Sequence, residues 1–471
     1  MLYGLLIIGT FEIMSYYLFS KKKVITNQLD SNLKVNIKNL SKSSYVMINN
    51  KKIENGFIIF NFYECCYSLY DPAKSNLKET CQNINLIKYK IIKFTKNGTC
   101  LYRNKLHLMK YTLPYSNNTV KGLSFSCSLL KYLKYFKMLD DNSYVDLSKE
   151  RMPRPKVVTA FSENHREEAA LLLASFKKHF PKQKIIVYNL GLSKKTKKFI
   201  KKLCFVEFRN FNFKKYPKHV SNIMNYAFKI LVLAEVLKEH GTVIWADASV
   251  RFRKRKMKYV YNLFNCKNGK PPNHKYEEQK EIEKIHNRKD FKNIYRHLKC
   301  KKCFWKYRYS GFDSNVYKFN INHCYKSDML LTIPTFHGIL STTHPTILEY
   351  FPTNLTRYDN KTTNYHRQYD AAFSITVKTK DIVQKVLKWA VLCALTKNCI
   401  EAEKWHGCVD FTKKNIFSST NICYRFDQTI ISLLLHNSNN YDNRNYVTEI
   451  HDFVDIVRES KIKLKSLKNT C

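Results

Sequence analysis

Two oxygen-bearing side chains, Asp247 and Ser249, follow the apolar run from Thr242 to Ala246, which is typical of a buried strand. A divalent cation that neutralises a pyrophosphate takes oxygen ligands, and residues two apart on an extended chain point to the same face. The pair therefore predicts a metal site at the end of this strand. The alternative is that Asp247 caps the next turn and Ser249 bonds the backbone.

A second polar strand end lies upstream, where Ser162 follows the β-branched run from Lys156 to Phe161. Ligands of an open α/β sheet bind outside the carboxyl ends of its strands. We therefore expect Ser162 and Asp247 to face one crevice. Glu163 and His165 come next, and we expect them to serve the start of the following helix.

Segments of strand and helix character alternate through the middle of the chain. Short β-branched runs indicate strands, and apolar residues at helical spacing indicate helices between them. The predicted segments are strands at Lys156–Phe161, Lys184–Asn189, Phe205–Phe208, Thr242–Ala246 and Met329–Phe336, and helices at Glu167–Phe180, Lys194–Lys202 and Ala227–His240, with a final helix opening at Asp427. This pattern predicts an α/β fold with a mostly parallel sheet flanked by helices.

Three stretches of this region are similar to the nucleotide-diphospho-sugar transferases of the GT-A fold. They are Val157–Ser162, Ala227–Leu231 and Ile244–Val250. The resemblance implies a Rossmann-like domain whose first strand end holds the nucleotide. It also implies an Asp-x-Asp motif that holds a metal on the diphosphate, where this chain has Asp247 followed by Ser249.

More closely, the chain resembles an animal family, expanded in nematodes, of glycosyltransferase-like proteins of the GT-A type. Two motifs carry this resemblance, Trp-x-Asp-x-Ser at Trp245–Ser249 and Arg-Phe-Asp-Gln at Arg425–Gln428. The similarity spans about residues 154–435. It implies transfer of a sugar from a nucleotide-diphosphate donor, expected to be uridine-linked, to a glycan or glycoprotein acceptor.

The resemblance also implies roles for individual residues. These are nucleotide-sugar binding by Ser162, Lys229 and Asp247, metal binding by Asp247 and Ser249 with Mn²⁺ as the expected cation, catalysis by Asp247 and Asp427, and acceptor binding by His337 and Gln428. A cation at Lys229 also suits the charge that develops on a leaving diphosphate, and a solvated helix face is the alternative. Because Ser249 stands where the motif has a second carboxylate, an inactive luminal or cell-surface binding protein with the same fold is the competing hypothesis.

The regions around this domain differ from it in composition. Residues 1–20 are almost uncharged and apolar, which predicts a signal-anchor or a signal peptide. Residues 21–150 alternate short apolar runs with polar residues and contain five cysteines, which predicts a luminal stem or small β-rich region. The prolines of Arg151–Pro155 predict the start of a 151–460 transferase domain, with an insertion at about 265–305 and a basic tail at 461–471.

The formal net charge of +45 does not predict a nucleic-acid partner, because the lysines are scattered along the chain instead of clustered. The densest basic run, Arg251–Lys256, is expected to be a solvated face, with attraction of an anionic substrate as the alternative. No P-loop, Gly-x-Gly-x-x-Gly or His-Glu-x-x-His motif is present. This excludes the commonest nucleotide-hydrolase, dehydrogenase and metalloprotease signatures.

Fifteen cysteines and five Asn-x-Ser/Thr triplets predict disulfides and an oxidising lumen. The expected location is the Golgi or endoplasmic reticulum membrane with a luminal domain, or secretion if the first segment is cleaved. Lysines 21–23 favour the opposite orientation by the positive-inside rule. Cys300 and Cys303 are expected in disulfides, with zinc as the alternative, and the pairing among Cys393, Cys399, Cys408 and Cys423 stays open.

Overall fold

The chain forms two compact units, Met1–His107 and Leu108–Cys471, in the computed structural model. The structure describes residues 35–36, 45–48, 51–54, 94–95, 98–102, 105–117, 119–139, 143–253, 257–265, 327–358, 366–401, 423–448, 453–458 and 467. The predicted membrane segment, the Cys300–Cys303 pair and almost all of the predicted insertion and basic tail lie outside these ranges. Within them, no helix is both long and apolar enough to cross a bilayer.

The described part of the first unit consists of short strands. One sheet contains β1 (Val35–Asn36), β2 (Tyr45–Ile48) and β3 (Lys51–Glu54), and another contains β4 (Phe94–Thr95), β5 (Thr99–Tyr102) and β6 (Lys105–Leu108). Strand β2 pairs antiparallel with both β1 and β3. The second unit begins at Leu108, upstream of the boundary that the prolines of 151–155 predict.

The second unit is built on a six-stranded sheet. The described strands of the unit, six of which form this sheet, are β7 (Lys110–Thr112), β8 (Lys121–Ser124), β9 (Lys156–Phe161), β10 (Ile185–Asn189), β11 (Val206–Asn210), β12 (Thr242–Ala246), β13 (Val250–Phe252), β14 (Met329–Leu331), β15 (Pro334–Gly338), β16 (Arg367–Tyr369), β17 (Phe373–Val377) and β18 (Val454–Ile456). The sheet order is β11-β10-β9-β12-β17-β14. The first four strands in this order are parallel, and β17 runs antiparallel to its neighbours β12 and β14. The predicted α/β fold with a mostly parallel sheet is confirmed.

The second unit also contains α-helices. They are α1 (Leu130–Tyr135), α2 (Arg166–His179), α3 (Lys194–Lys201), α4 (Ala227–His240), α5 (Lys258–Asn265), α6 (Pro345–Tyr350), α7 (Lys380–Ile382), α8 (Lys388–Ala394), α9 (Lys397–Ile400) and α10 (Phe426–Ser438). A π-helical turn, Val383–Leu387, joins α7 to α8. The predicted helix Ala227–His240 and strand Thr242–Ala246 begin and end where the sequence places them.

One predicted strand, Met329–Phe336, is wrong as a single element. Residues Met329–Leu331 pair with β17 in the main sheet, whereas Pro334–Gly338 pair with β16 in a separate hairpin. Proline has no backbone N–H and cannot donate to a ladder, so Pro334 is suited to starting a new strand but not to continuing a central one. An apolar run shows burial, but it does not show which sheet buries it.

Helix α4 is the central helix of the unit, since ten of its 14 residues are buried. It packs on β9 and β12 on one side and on α8 and α10 on the other. Asn225 caps its start by accepting a hydrogen bond from the Ala227 N–H at 2.9 Å. At its other end Gly241 has φ +70° and donates its N–H to the Leu237 carbonyl at 3.0 Å, which turns the chain directly into β12.

We expect Gly241→Ala to lower the free energy of unfolding by about 1–2 kcal/mol, because the left-handed conformation disfavours a Cβ. The new Cβ would also lie 3.0 Å from Val145 Cγ2. Urea denaturation measures the loss. Lys195→Ala, at an exposed helical position, is the control and should change stability by about 0.5 kcal/mol or less. Equal losses in the two variants would contradict a strained turn at Gly241.

A buried histidine pair lies in the second unit, near the end of α10. His366 Nδ1 is 3.1 Å from His436 Nε2, and His436 Nδ1 is 3.0 Å from the Tyr446 hydroxyl. Burial lowers the pKa of both imidazoles below 6.5, and the neighbouring His366 lowers the pKa of His436 further. The folded state therefore favours two neutral rings.

Stability should fall as the pH decreases from about 7 to 5.5, because the unfolded chain takes up protons near the ordinary histidine pKa while the folded chain resists them. Urea denaturation at several pH values measures this slope. His366→Phe removes one of the two groups and should make the slope shallower. An unchanged slope in that variant would show that other groups cause the acid sensitivity.

Candidate active site

Three charged side chains meet at the carboxyl end of β12, and we call them the ion triad: Lys229, Asp247 and Asp427. The Lys229 ammonium lies 3.0 Å from Asp247 Oδ1 and 3.2 Å from Asp427 Oδ2. The side chains of Lys229 and Asp427 are only 10% and 8% exposed, whereas that of Asp247 is 31% exposed. One buried cation therefore joins two carboxylates, of which only Asp247 is substantially accessible from solvent.

Three elements distant in sequence bring the triad together. Lys229 lies in the first turn of α4, Asp247 directly follows β12, and Asp427 lies in the first turn of α10. The backbone N–H of Asp247 donates to the Ala372 carbonyl at 2.8 Å, so the residue after the strand is still held against the start of β17. Asp427 also benefits from the positive end of its helix.

Trp245 fixes the orientation of the Asp247 carboxylate. Its indole Nε1 donates to Asp247 Oδ1 at 2.6 Å, and the ring centroid lies 5.3 Å from the Lys229 ammonium. A buried indole N–H needs an acceptor, and an aromatic face attracts a cation. The Trp-x-Asp part of the sequence motif is thus a structural contact within the site.

The two carboxylates of the triad stabilise the positive charge of the lysine that they share. Burial opposes the charge on Lys229, but Asp247 and Asp427 together raise its pKa above the ordinary value. Burial and the charge of Asp247 keep the pKa of Asp427 above its ordinary value, although Lys229 acts in the opposite direction. Buried charges of this kind persist only when they are paired.

Two aromatic residues with positive φ precede or open the helices that carry the triad. Tyr226 (φ +57°) immediately precedes α4 and Phe426 (φ +40°) is the first residue of α10, and their ring centroids are 5.9 Å apart. Burial raises the pKa of Tyr226, and the charges of Asp427 and Asp247 raise it further, which places its hydroxyl within their field. Strained backbone at two such residues is typical of a functional site.

Sequence reasoning missed a further cation, Arg458, because nothing in the local pattern marks it. Strand β18 pairs antiparallel with β13, aligning Ile456 with Val250, and the Val457 N–H donates to the Ser249 carbonyl at 2.8 Å. Arg458 therefore follows a strand that is anchored beside the loop after Asp247. Its charge acts on the pKa values of His165, Tyr226 and Arg425.

Arg251 corrects the prediction of a solvated basic face for the start of its run. The residue is only 7% exposed, and its guanidinium donates to the Ala248 and Val250 carbonyls at 2.6 and 2.8 Å and to the Val457 carbonyl at 3.0 Å. It clamps the loop after Asp247 to the segment that leads to Arg458. Residues 254–256 of the run lie outside the described residues.

The other predicted site residues are buried, and all of them except Ser249 have a hydrogen-bond partner. Their roles stay predictions. The Ser162 hydroxyl donates to Asn164 Oδ1 at 2.5 Å. Gln428 Nε2 donates to the Tyr369 carbonyl at 3.1 Å, and His337 Nδ1 lies 3.3 Å from the Thr335 hydroxyl within its own hairpin. The Ser249 hydroxyl is buried and has no hydrogen-bond partner among the described residues.

The contacts of Asp247 and Ser249 show whether these two predicted ligands could bind Mn²⁺. Oδ1 of Asp247 already accepts from Trp245 and Lys229, and Oδ2 lies 3.3 Å from the same ammonium. Ser249 is only 2% exposed, and its hydroxyl is enclosed in protein. The described residues contain no group of three or more His, Cys, Asp or Glu side chains that could hold a metal. This donor set does not fit a hard divalent cation, which takes about six oxygen ligands.

The pocket lined by Lys229, Trp245 and Asp427 has a volume of only about 20 Å³, and a larger cavity, of about 440 Å³, lies elsewhere in the second unit. Its lining includes Ser327, Asp381 and Asn445, and residues that follow the C-terminal end of α10. None of the predicted site residues lines it. The ion triad, with its paired charges and strained neighbours, is therefore the better candidate for chemistry than the cavity of greater volume.

Comparison with known proteins gives a partial family match. A family described as "Protein of unknown function (DUF1647)" matches residues 98–234. This range includes Ser162 and Lys229 but ends before Asp247. No curated protein matches the chain. Membership of the nematode-expanded family stays a prediction.

Several solved structures are similar to the chain, and those described below are named as glycosyltransferases. Galactosyltransferase LgtC, in complex with donor and acceptor sugar analogues, is 12% identical over 64% of this chain and 87% of its own, with a TM-score of 0.28. The bifunctional glycosyltransferase WbbM is 10% identical over 63% of this chain and 38% of its own, with a TM-score of 0.27. Mouse xyloside xylosyltransferase 1 is 7% identical over 61% and 82%, with a TM-score of 0.28. These similarities are distant. A proposal about function therefore has to be argued from the residues of this chain.

Removing the central cation should destabilise the protein. We expect Lys229→Met to lower the free energy of unfolding by about 3–5 kcal/mol, because it leaves Asp427 buried without a counter-charge. Thermal and urea denaturation measure the loss. The double variant Lys229→Met/Asp427→Asn removes that charge as well and should recover most of the stability. A double variant as unstable as the single one would show that the lysine acts through packing instead.

Proposed function

We propose that this chain transfers a sugar from a nucleotide-diphosphate donor, uridine-linked, to a hydroxyl of a glycan or glycoprotein. The observation that carries the proposal is the ion triad at the carboxyl end of β12, where a buried lysine holds an accessible carboxylate in place. Open α/β sheets bind their ligands at such strand ends. A carboxylate fixed by a tryptophan and a lysine is preorganised for a reacting group.

In the proposed reaction the acceptor oxygen forms a bond to the anomeric carbon of the donor sugar. The bond from that carbon to the diphosphate breaks, and the diphosphate leaves with the electron pair. Asp247, with 31% of its side chain exposed, is the group that touches the substrates and accepts the proton of the acceptor hydroxyl. Asp427 is buried and acts through Lys229, so it is a positioning residue.

We also propose an oxidising, luminal or extracellular location. A disulfide between Cys393 and Cys399 supports it, as do the disulfide-bonded states of Cys100, Cys127, Cys204 and Cys423. Structural disulfides persist in such compartments and are rare in the cytosol. The Golgi membrane and a single N-terminal anchor belong to this proposal.

The competing proposal is a binding protein that keeps the fold without turnover. It is favoured by the internal pairing of the triad, since Lys229 and Trp245 already satisfy the Asp247 carboxylate. Such a protein would bind a nucleotide sugar or a glycan and release no diphosphate. Both proposals therefore predict that the protein binds a ligand of this kind, but only the first predicts that it releases diphosphate.

A transfer assay tests the proposed function. The secreted protein is incubated with a panel of nucleotide-diphosphate sugars and glycan acceptors, and released nucleoside diphosphate is measured. We expect Asp247→Ala to reduce kcat/KM about 100-fold or more, the effect typical of losing a preorganised polar group at a reacting centre. Asp247→Asn separates loss of the charge from loss of the hydrogen bonds.

Asp381→Ala is the matched control, because this aspartate is half-exposed on α7, lies remote in sequence from the triad and pairs with Lys385. Its activity should equal that of the parent protein. Donor binding without diphosphate release in the parent would favour the binding protein. Full activity in Asp247→Ala would remove Asp247 from the mechanism.

A further inference from the structure

Two guanidinium groups, Arg425 and Arg458, accompany the ion triad. Each of them interacts with a group that the triad also acts on. The pairwise interactions place these groups in one field: Asp427 and Arg458 both act on Arg425, and Arg458 and Lys229 both act on Tyr226. Cations grouped at a strand end can attract an anionic ligand.

Lys229 occupies the place between the two carboxylates that an added cation would otherwise take. Its ammonium is within 3.0–3.3 Å of three carboxylate oxygens, on Asp247 and Asp427. The second predicted metal ligand, Ser249, has its hydroxyl enclosed in protein. The carboxylate that a diphosphate would meet at Asp247 is thus already paired with a cation of the protein.

Arg458 lies on a segment that is fixed beside the loop after Asp247. The β13–β18 pairing and the Arg251 clamp attach its segment to the loop after Asp247, while Arg458 itself is exposed. A guanidinium presents a planar set of donors that matches a phosphate with two parallel hydrogen bonds. Arg425 adds a second guanidinium, whose Nε is buried and has no hydrogen-bond partner among the described residues.

We propose that Arg458, supported by Arg425, binds the diphosphate of the donor at this strand end, and that this binding needs no divalent cation. The proposal rests on the proposed function, because it assumes a nucleotide-diphosphate ligand. It assigns to Lys229 the positioning of Asp247 and to Arg251 the positioning of Arg458. Neither residue then has to contact the phosphates.

Calorimetric titration of the full chain with uridine diphosphate tests this proposal, once in EDTA and once with Mn²⁺. We expect binding in EDTA, with an affinity within about threefold of that in Mn²⁺. Arg458→Ala should weaken binding about tenfold or more, as expected for a lost hydrogen bond between charged groups, and Arg458→Lys should restore part of the affinity. Because Arg458 is exposed, these variants are expected to fold, and their melting temperatures check this.

Arg444→Ala is the matched control, since this arginine pairs with Asp442 beyond the far end of α10, and its affinity should not change. Binding that appears only with Mn²⁺ would overturn the metal-free proposal and leave the proposed function standing. Unchanged affinity in Arg458→Ala would overturn the assignment of Arg458. No binding in either buffer would overturn this inference and the uridine-linked donor together.

Discussion

The sharing of one buried ammonium between two carboxylates is the constraint on which the rest of the site depends. A lysine whose side chain is 10% exposed keeps its charge only if its partners are held at hydrogen-bond distance. Those partners come from the end of β12 and the start of α10, so the ion triad ties the central helix to the sheet and to the last long helix. The pairing that stabilises the buried charges leaves 31% of the Asp247 side chain exposed.

The surrounding structure supports this arrangement at a conformational cost. Tyr226 and Phe426 take positive φ values at the starts of the two helices that supply Lys229 and Asp427. The local preferences of large aromatic residues oppose such a backbone, and packing around the triad has to overcome them. Gly241 meets the same requirement at the other end of α4 without strain, because it has no side chain.

Hydrogen bonds of Arg251 connect the loop after Asp247 to the C-terminal segment. Arg251 is buried under the loop after Asp247, and its three carbonyl partners join that loop to β18. A basic residue that would be a surface charge in an isolated peptide is here a structural clamp. The same pairing brings Arg458 to the crevice, so the charge of the site includes residues separated by more than 200 positions from Asp247.

The sequence by itself determined the α/β class and several element boundaries, because helix α4 and strand β12 carry clear apolar periodicity and a glycine stop. It also marked Lys229, Asp247 and Asp427 as candidates. Only the tertiary structure decided that these three share one ion triad, that Ser249 is enclosed, and that Met329–Phe336 divides between two sheets. Pairing of charges and strands depends on distances between segments far apart in the chain, and local patterns contain no information about those distances.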